Sequence, residues 1–168
     1  MSASQLCTTL ACSVTLATAG GIASLSYSSV PLLSSLAKRA SVPDSLADLR
    51  ALFSSGSHVF PQLASLAAAH FASSAYSSSA ASAARTGYSL AAGLTASILP
   101  FTVAVMLPAV NAKLIELDER VNKKKDAARE PSQDEVVTLL RKFGAYNAVR
   151  AALIGAGGVV GVWTAVVA

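Results

Sequence analysis

The sequence is poor in the residue types that hold metals and cofactors. It has two histidines and two cysteines among 168 residues, so a site with three histidine ligands is excluded. Cys7 and Cys12 are five positions apart, which matches neither a zinc pair nor a redox CxxC motif. We expect both thiols to be structural, and we expect no metal and no recognisable cofactor site.

Charge is also scarce. Charged residues make up 13% of the chain and hydrophobic residues 53%, whereas a soluble domain has about 25% charged residues. With a mean hydropathy of +0.54, this composition predicts an integral membrane protein. The net charge of +4 does not indicate nucleic-acid binding, because the basic residues are not interleaved with aromatic ones. Basic residues beside apolar spans are topology signals and contacts for membrane lipid.

Four stretches are long and apolar enough for helices that cross a hydrocarbon core of about 30 Å. No Lys or Arg precedes the first, so we expect a retained helix and not a secretory signal. Ser and Ala dominate the second, which suits a helix packed inside a bundle. Pro100 and Pro108 are expected to kink the third. We predict one all-α domain over 1–168, a four-helix transmembrane bundle with spans at about 6–30, 60–82, 87–110 and 147–168.

The distribution of basic residues predicts the orientation of the bundle. Eleven of the 13 basic residues lie in the two larger loops, against Arg85 alone in the short loop between spans two and three. By the positive-inside rule, the larger loops are cytosolic and both termini lie on the opposite side.

The loop between spans three and four contains helix signals. Ser132 and Glu135 have the spacing of a capping box, which satisfies backbone N–H groups at a helix start. A helix is therefore predicted to begin near Gln133. Two apolar stripes are predicted to face each other, formed by Leu114, Leu117 and Val121 and by Val136, Leu139, Leu140 and Phe143. We predict that the last two helices extend into the cytosol as an antiparallel hairpin over about 111–146.

The segment LIGAGGVVG, residues 153–161, resembles a dinucleotide-binding fingerprint in the spacing of its glycines. Such a fingerprint needs a following helix, a second strand and an acidic residue about 20 positions on, but only seven residues follow Gly161. Inside a span, Gly157 and Gly161 form a GxxxG pair, whose flat surface lets another helix approach closely. We predict a helix-packing surface, which is also a candidate for contacts in a homo-oligomer.

The predicted topology gathers polar residues at one level, near the cytosolic side of the membrane. No Asp or Glu falls within the four spans, so a carboxylate-bound di-iron site is excluded. Asn147 and Arg150 are three positions apart and share one helix face, so they can line one cavity. Other residues at this level are Tyr27, His58, Pro108, Asn111 and Tyr146.

These residues also have structural interpretations. Arg150 lies about one turn, or about 5 Å, inside its span and can also extend to the lipid headgroups. Asn111 and Asn147 can fix the bundle through interhelical hydrogen bonds. His70 lies roughly 15 Å inside span two, where a charged imidazole is costly, so a neutral, helix-bonding role is the alternative to catalysis. His58, at the interface, can change its protonation near neutral pH.

Motifs in the four spans resemble those of a known family. The segments GGIASLSYSSVPLL, LFSSGSHVFPQLA, LPFTVAVMLPAVNAKL and LLRKFGAYNAVRAAL occur in the order of the spans. They are similar to the DUF1772 membrane proteins, a family that includes the fungal anthrone oxygenases of polyketide pathways. The similarity is clearest at Pro100, Thr102, Met106, Pro108, Asn111, Leu114, Asn147 and Arg150. Phe143 and Tyr146 depart from the residues expected at their positions, which bears on the choice of substrate.

The resemblance implies a membrane oxygenase of secondary metabolism that oxidises an anthrone-type polyketide to an anthraquinone. O2 would be the co-substrate, no cofactor would be needed, and the flat apolar substrate would enter from the bilayer. The implied catalytic groups are a base, His58 or His70, and Arg150 as the partner of the developing oxyanion. The expected substrate contacts are Asn111, Asn147, Tyr146 and Tyr27.

The residues alone do not distinguish this oxygenase from two other kinds of function. In a non-catalytic membrane scaffold or transporter subunit, the amides and Arg150 would only hold helices together. In a redox subunit, the bundle would bind a quinone or haem. The lack of carboxylates in the spans and of an evident internal repeat disfavours a transporter.

Overall fold

The computed structural model describes residues 3–37, 42–122 and 132–167. These ranges are helical apart from one short loop and the helix junctions, and they contain no strand, so the all-α prediction is confirmed. The elements are α1 (Ala3–Ala37), α2 (Val42–Ser77), α3 (Ala83–Ala96), α4 (Ile98–Phe101), a π-helix (Thr102–Asn111), α5 (Ala112–Asn122) and α6 (Gln133–Val167).

Within the described ranges, three helical stretches are long and apolar enough to cross a membrane, which is compatible with an integral membrane protein: Gln5–Ser29, Ala83–Leu117 and Gln133–Val167. They correspond to predicted spans one, three and four. The predicted second span belongs to α2, which packs against α1 and α3. Its serines lower its hydropathy, although Ser65 Oγ donates to the Pro61 carbonyl at 2.8 Å and so needs no water. α2 ends at Ser77, five residues before the predicted end of that span.

Helix type changes along span three where its prolines occur. α3 ends at Ala96, whose carbonyl would bond to the N–H that Pro100 lacks. The short α4 follows, and a π-helix then runs past Pro108 to its C-cap, where the Ala112 N–H donates to the Leu107 carbonyl five residues earlier. The prolines thus disturb span three as expected, but the disturbance is a change of helix type.

Glycines let α6 approach its neighbours closely. A methyl group added at Gly161 would lie 2.7 Å from the Phe71 ring, and one added at Gly157 would lie 3.1 Å from the Ala91 carbonyl oxygen of α3. Both glycines are buried inside the chain. The predicted helix-packing role of the GxxxG pair is confirmed by these contacts within the chain.

The same contacts show which residues of α1 and α6 share a level. The two helices run antiparallel, because Gly144 faces Ser29, Gly155 faces Ala19 and Gly161 faces Cys12. α6 also runs antiparallel to α3, since Gly157 faces Thr95 and Gly87 faces Thr164. Positions on different helices can therefore be compared along the bundle axis.

α6 begins at Gln133 as predicted, and Ser132 Oγ accepts a hydrogen bond from the Glu135 N–H at 3.2 Å. The predicted stripe residues of α6 are buried in one cluster with Leu114 and Leu117. Leu46 of α2 joins this cluster, and α5 packs against α2. The tip of the predicted hairpin, 123–131, and the Val121 side chain lie outside the described residues.

Candidate functional site

Arg150 points into the bundle. Its side chain is 6% exposed, although it belongs to the apolar stretch Gln133–Val167. Its Nη1 donates to Asn147 Oδ1 at 2.9 Å and lies 3.8 Å from Met106 Sδ. The guanidinium therefore lies between α6 and the π-helix and does not extend toward the lipid headgroups.

Asn147 orients the guanidinium. Its amide is fully buried, and its Nδ2 donates to the Phe143 carbonyl one turn earlier at 3.0 Å. This bond leaves Oδ1 to accept from Arg150. The predicted proximity of Asn147 and Arg150 on one helix face is confirmed.

Arg150 Nε and Asn111 Oδ1 are among the buried polar atoms that lack a hydrogen-bond partner in the described part of the chain. Leaving such a group unpaired costs about 1–3 kcal/mol, and more when the group is charged. The guanidinium stays protonated in proteins, and the first carboxylate before it on α6, Glu135, lies fifteen residues or about 22 Å away. Among the described residues, Arg150 forms no ion pair and its Nε–H has no hydrogen-bond partner, so this part of the site suits an anion.

The π-helix decides which side chains of span three are buried here. Its buried residues are Met106, Val110 and Asn111. In an α-helix, Met106 and Asn111 would point about 140° apart. A π-helix closes its hydrogen bonds over five residues and so has more residues per turn, which brings both side chains to the buried side.

His70 lies in another part of the bundle. Its Nε2 is 3.2 Å from Thr8 Oγ1 and 3.4 Å from Ser74 Oγ. The adjacent Phe71 contacts Gly161, which is eleven residues, or about 16 Å along the axis, from Arg150. The structure therefore does not bring His70 and Arg150 together, and His70 takes part in a polar contact between α1 and α2.

The side chain of His58 lies outside the described residues, but the helix that carries it can be placed. Phe60, two residues later on α2, contacts Gly21 of α1. Because Ala19 faces Gly155, Gly21 is opposite α6 at about one turn from Arg150. This part of α2 therefore lies close to the level of Arg150.

The two tyrosines that the sequence suggests as substrate contacts differ in position. Tyr146 is half-buried and packs against the cluster that contains Met106, with its ring edge-to-face against Phe101 at 6.0 Å between centroids. Tyr27 is 77% exposed on the outside of α1. Tyr146 thus borders the Arg150 region, whereas Tyr27 faces outward.

In the described part of the chain, two grooves lie at the end of the bundle away from Arg150. One, of about 550 Å³, runs between α3 and the end of α6 and includes Leu90 and Trp163. The other, of about 340 Å³, lies between α2 and α3 and includes Tyr76 and Arg85. Neither includes a predicted site residue.

Two groups close to Arg150 and Asn147 were not predicted from the sequence as site residues: the Met106 sulfur and the Ser26 hydroxyl. Met106 is a contact of the guanidinium, but a methionine in an apolar helix gives the same signal as an ordinary core residue. Ser26 has a buried Oγ without a partner among the described residues, and its carbonyl lies near Gly144, one turn from Asn147. A serine in a serine-rich stretch gives no distinguishing signal either.

Comparison with known proteins identifies one match. A sequence model of the anthrone oxygenase family matches residues 49–160, a range that includes the π-helix, both histidines and the Asn147–Arg150 pair. No curated protein and no solved structure matches the chain.

Proposed function

Because the chain belongs to the anthrone oxygenase family, we propose that it is a membrane oxygenase that converts an anthrone-type polyketide to an anthraquinone with O2. The observation that carries the proposal is the buried Arg150 guanidinium, whose Nε has no hydrogen-bond partner among the described residues. The reaction develops negative charge on an oxygen of a flat apolar molecule. A preorganised cation in apolar surroundings stabilises such charge far more than it would in water.

The reaction balances with O2 as the only co-substrate. A base removes one proton from the central methylene carbon of the anthrone, which leaves an enolate with its charge on the ketone oxygen. The enolate passes one electron to O2, and the carbon radical and superoxide combine and take up a proton to form a hydroperoxide. Loss of the remaining proton from that carbon and cleavage of the O–O bond release one water and leave the second ketone.

In this proposal, Arg150 and Asn111 bind complementary groups of the substrate. The free Nε–H of Arg150 donates to the enolate oxygen, while Asn111 Oδ1, the unpaired acceptor, accepts from a phenol O–H. Asn147 holds the guanidinium in position through its 2.9 Å contact. One unpaired donor and one unpaired acceptor match a ligand that carries an oxyanion and a phenol.

We propose His58 as the base. His70 is separated from Arg150 by about 16 Å along the bundle and already contacts Thr8 and Ser74. His58 lies on the part of α2 that is near the level of Arg150, as the contact between Phe60 and Gly21 indicates. Imidazole is the side chain that proteins most often use to remove a proton at physiological pH.

The two tyrosines would act at different stages. Tyr146, beside Phe101, would pack against the aromatic rings of the bound substrate. Tyr27, exposed on α1, would contact the substrate as it arrives from the bilayer. The residues proposed here supply a base and an oxyanion partner, and the mechanism uses no cofactor.

We also propose that α2 is a fourth membrane-crossing helix, which packs against α1 and α3 on one side and exposes side chains such as Leu66 on the other. Four crossings place both termini on one side, and the positive-inside rule places the larger loops in the cytosol. In a variant without Cys7 and Cys12, a cysteine introduced at Ser79 should react with an impermeant maleimide from the non-cytosolic side only. Labelling from the cytosolic side would contradict this topology.

Turnover by purified protein tests the function. Protein in detergent, treated with a chelator, should convert emodin anthrone to emodin faster than spontaneous oxidation, with one O2 consumed per product. Arg150→Gln should remain folded and lose about 10²–10³ in rate, the usual effect of removing one oxyanion donor. A folded Arg150→Gln protein with the wild-type rate would contradict the proposal.

The histidines provide a matched pair. His58→Ala should abolish proton removal, while His70→Ala should retain turnover because its imidazole lies outside the site. If both single variants and the double variant turn over at the wild-type rate, histidine has no part in the mechanism.

A further inference from the structure

One contact of the proposed site joins a neutral sulfur atom to the buried cation. The Met106 sulfur lies 3.8 Å from Arg150 Nη1, the same nitrogen that donates to Asn147. Met106 is 1% exposed and lies in the cluster with Val110 and Phe143. The surrounding core therefore fixes the position of Met106, and its thioether sulfur contacts one side of the guanidinium.

The chemistry of the thioether is suited to holding a cation without neutralising it. A thioether sulfur is a weak, uncharged hydrogen-bond acceptor. A carboxylate at the same point would form a short, charge-assisted pair with the guanidinium and would cancel the charge that a substrate anion needs. An aliphatic side chain would fill the space but would offer no acceptor.

The π-helix gives this sulfur its place. Its wider turn buries Met106 and Asn111 on one side, although they are five residues apart. The sulfur that orients Arg150 and the unpaired amide oxygen proposed to accept from the substrate are thus supplied by one segment.

We propose that Met106 is a positioning residue that orients the Arg150 guanidinium while leaving its charge and its Nε–H available to the substrate oxyanion. This inference rests on the proposed function, in which Arg150 stabilises the enolate. It assigns the sulfur atom, and not only the bulk of the side chain, a role in the rate of the reaction.

Three substitutions at this position separate the two roles. Met106→Leu keeps the bulk and removes the acceptor, Met106→Gln keeps a neutral acceptor, and Met106→Glu adds a charged one. If the sulfur orients the guanidinium without neutralising it, Met106→Gln should retain most of kcat. Met106→Leu should lose about tenfold in kcat, as for one neutral hydrogen bond. Met106→Glu should lose at least as much kcat as Arg150→Gln. A purely apolar packing role predicts the reverse order for Leu and Gln.

The measurement is kcat and KM for emodin anthrone, taken per folded molecule after size-exclusion chromatography in detergent. The loss in Met106→Leu should appear in kcat with KM little changed, because the contact acts on charge that develops during the reaction. Leu107→Met, at an exposed neighbouring position, is the matched control and should behave as wild type.

The outcomes separate this inference from the proposed function. If Arg150→Gln is inactive but Met106→Leu keeps the wild-type kcat, or if folded Met106→Gln is slower than Met106→Leu, the positioning role is overturned and the proposed function stands. If Arg150→Gln is fully active, the proposed function fails and the role of Met106 fails with it.

Discussion

Replacing Gly157 by alanine tests the packing that brings span three beside Arg150. The added methyl group would lie 3.1 Å from the Ala91 carbonyl oxygen and 3.2 Å from the Thr95 nitrogen. Ordinary contacts begin at 3.4 Å, so the backbone of α3 would have to move by a few tenths of an ångström. The Thr95 hydroxyl, which is also close, can rotate away, but the backbone atoms cannot.

The expected magnitude follows from two opposing effects. Overpacking a well-filled interface costs about 1–3 kcal/mol, while alanine is favoured over glycine in a helix by about 1 kcal/mol. Gly157→Ala should therefore change the free energy of unfolding by about 0–2 kcal/mol in the destabilising direction. Gly93→Ala is the matched control, because an added methyl group there has no neighbour within 4 Å, and it should be neutral or slightly stabilising.

The assay is unfolding in mixed micelles with increasing SDS, followed by circular dichroism. Because both variants gain the same helix propensity, the difference between them isolates the contact, and we expect about 1–3 kcal/mol. If Gly157→Ala is at least as stable as Gly93→Ala, the described packing of α6 against α3 is wrong. A difference that depends on protein concentration would instead indicate that the glycines pack between copies.

Three further changes test other parts of the account. Ser132→Ala removes the N-cap of α6 and should lower stability by about 1 kcal/mol, with faster hydrogen exchange confined to the first turn; unchanged exchange would count against the cap. Thr8→Val should cost about 1 kcal/mol or more by removing the hydrogen bonds of its hydroxyl with His70 and Tyr88 and should leave turnover unchanged, whereas a large rate loss would indicate that His70 takes part in the reaction. Asn147→Asp should pair with Arg150 but lose the donor to the Phe143 carbonyl, and the folded variant should lower turnover by about 10² or more; retained turnover would show that the reaction does not need the positive charge of Arg150.

Local signals in the sequence predicted the features that depend on one helix at a time. The Ser132 and Glu135 spacing predicted the start of α6, because a cap depends only on adjacent backbone groups. The three-residue spacing of Asn147 and Arg150 predicted their contact, since both lie on one regular helix. The GxxxG pair predicted close packing, because the absence of side chains is itself the feature that a neighbouring helix uses.

Features that depend on register between helices were not predictable in the same way. A period of 3.6 residues does not reveal a π-helix, so the burial of Met106 together with Asn111 has no signature in the apolar pattern. The separation of His70 from Arg150 along the bundle axis depends on the register in which α2 and α6 pack. α2 begins at Val42, well before the predicted second span, because a helix can continue beyond the residues that are apolar enough for a membrane.

The proposal that Arg150 stabilises the enolate is tested most directly by an anaerobic pH titration of bound emodin anthrone. The absorption spectrum of the enolate is recorded at each pH. Without O2 the reaction stops after proton removal, so the spectrum reports only whether the protein stabilises the anion. We expect the apparent pKa of the bound anthrone to be about 1–3 pH units lower on the wild-type protein than on folded Arg150→Gln, because a cation lies next to the developing charge. Equal apparent pKa values on the two proteins would show that Arg150 does not bind the oxyanion, and would contradict the account.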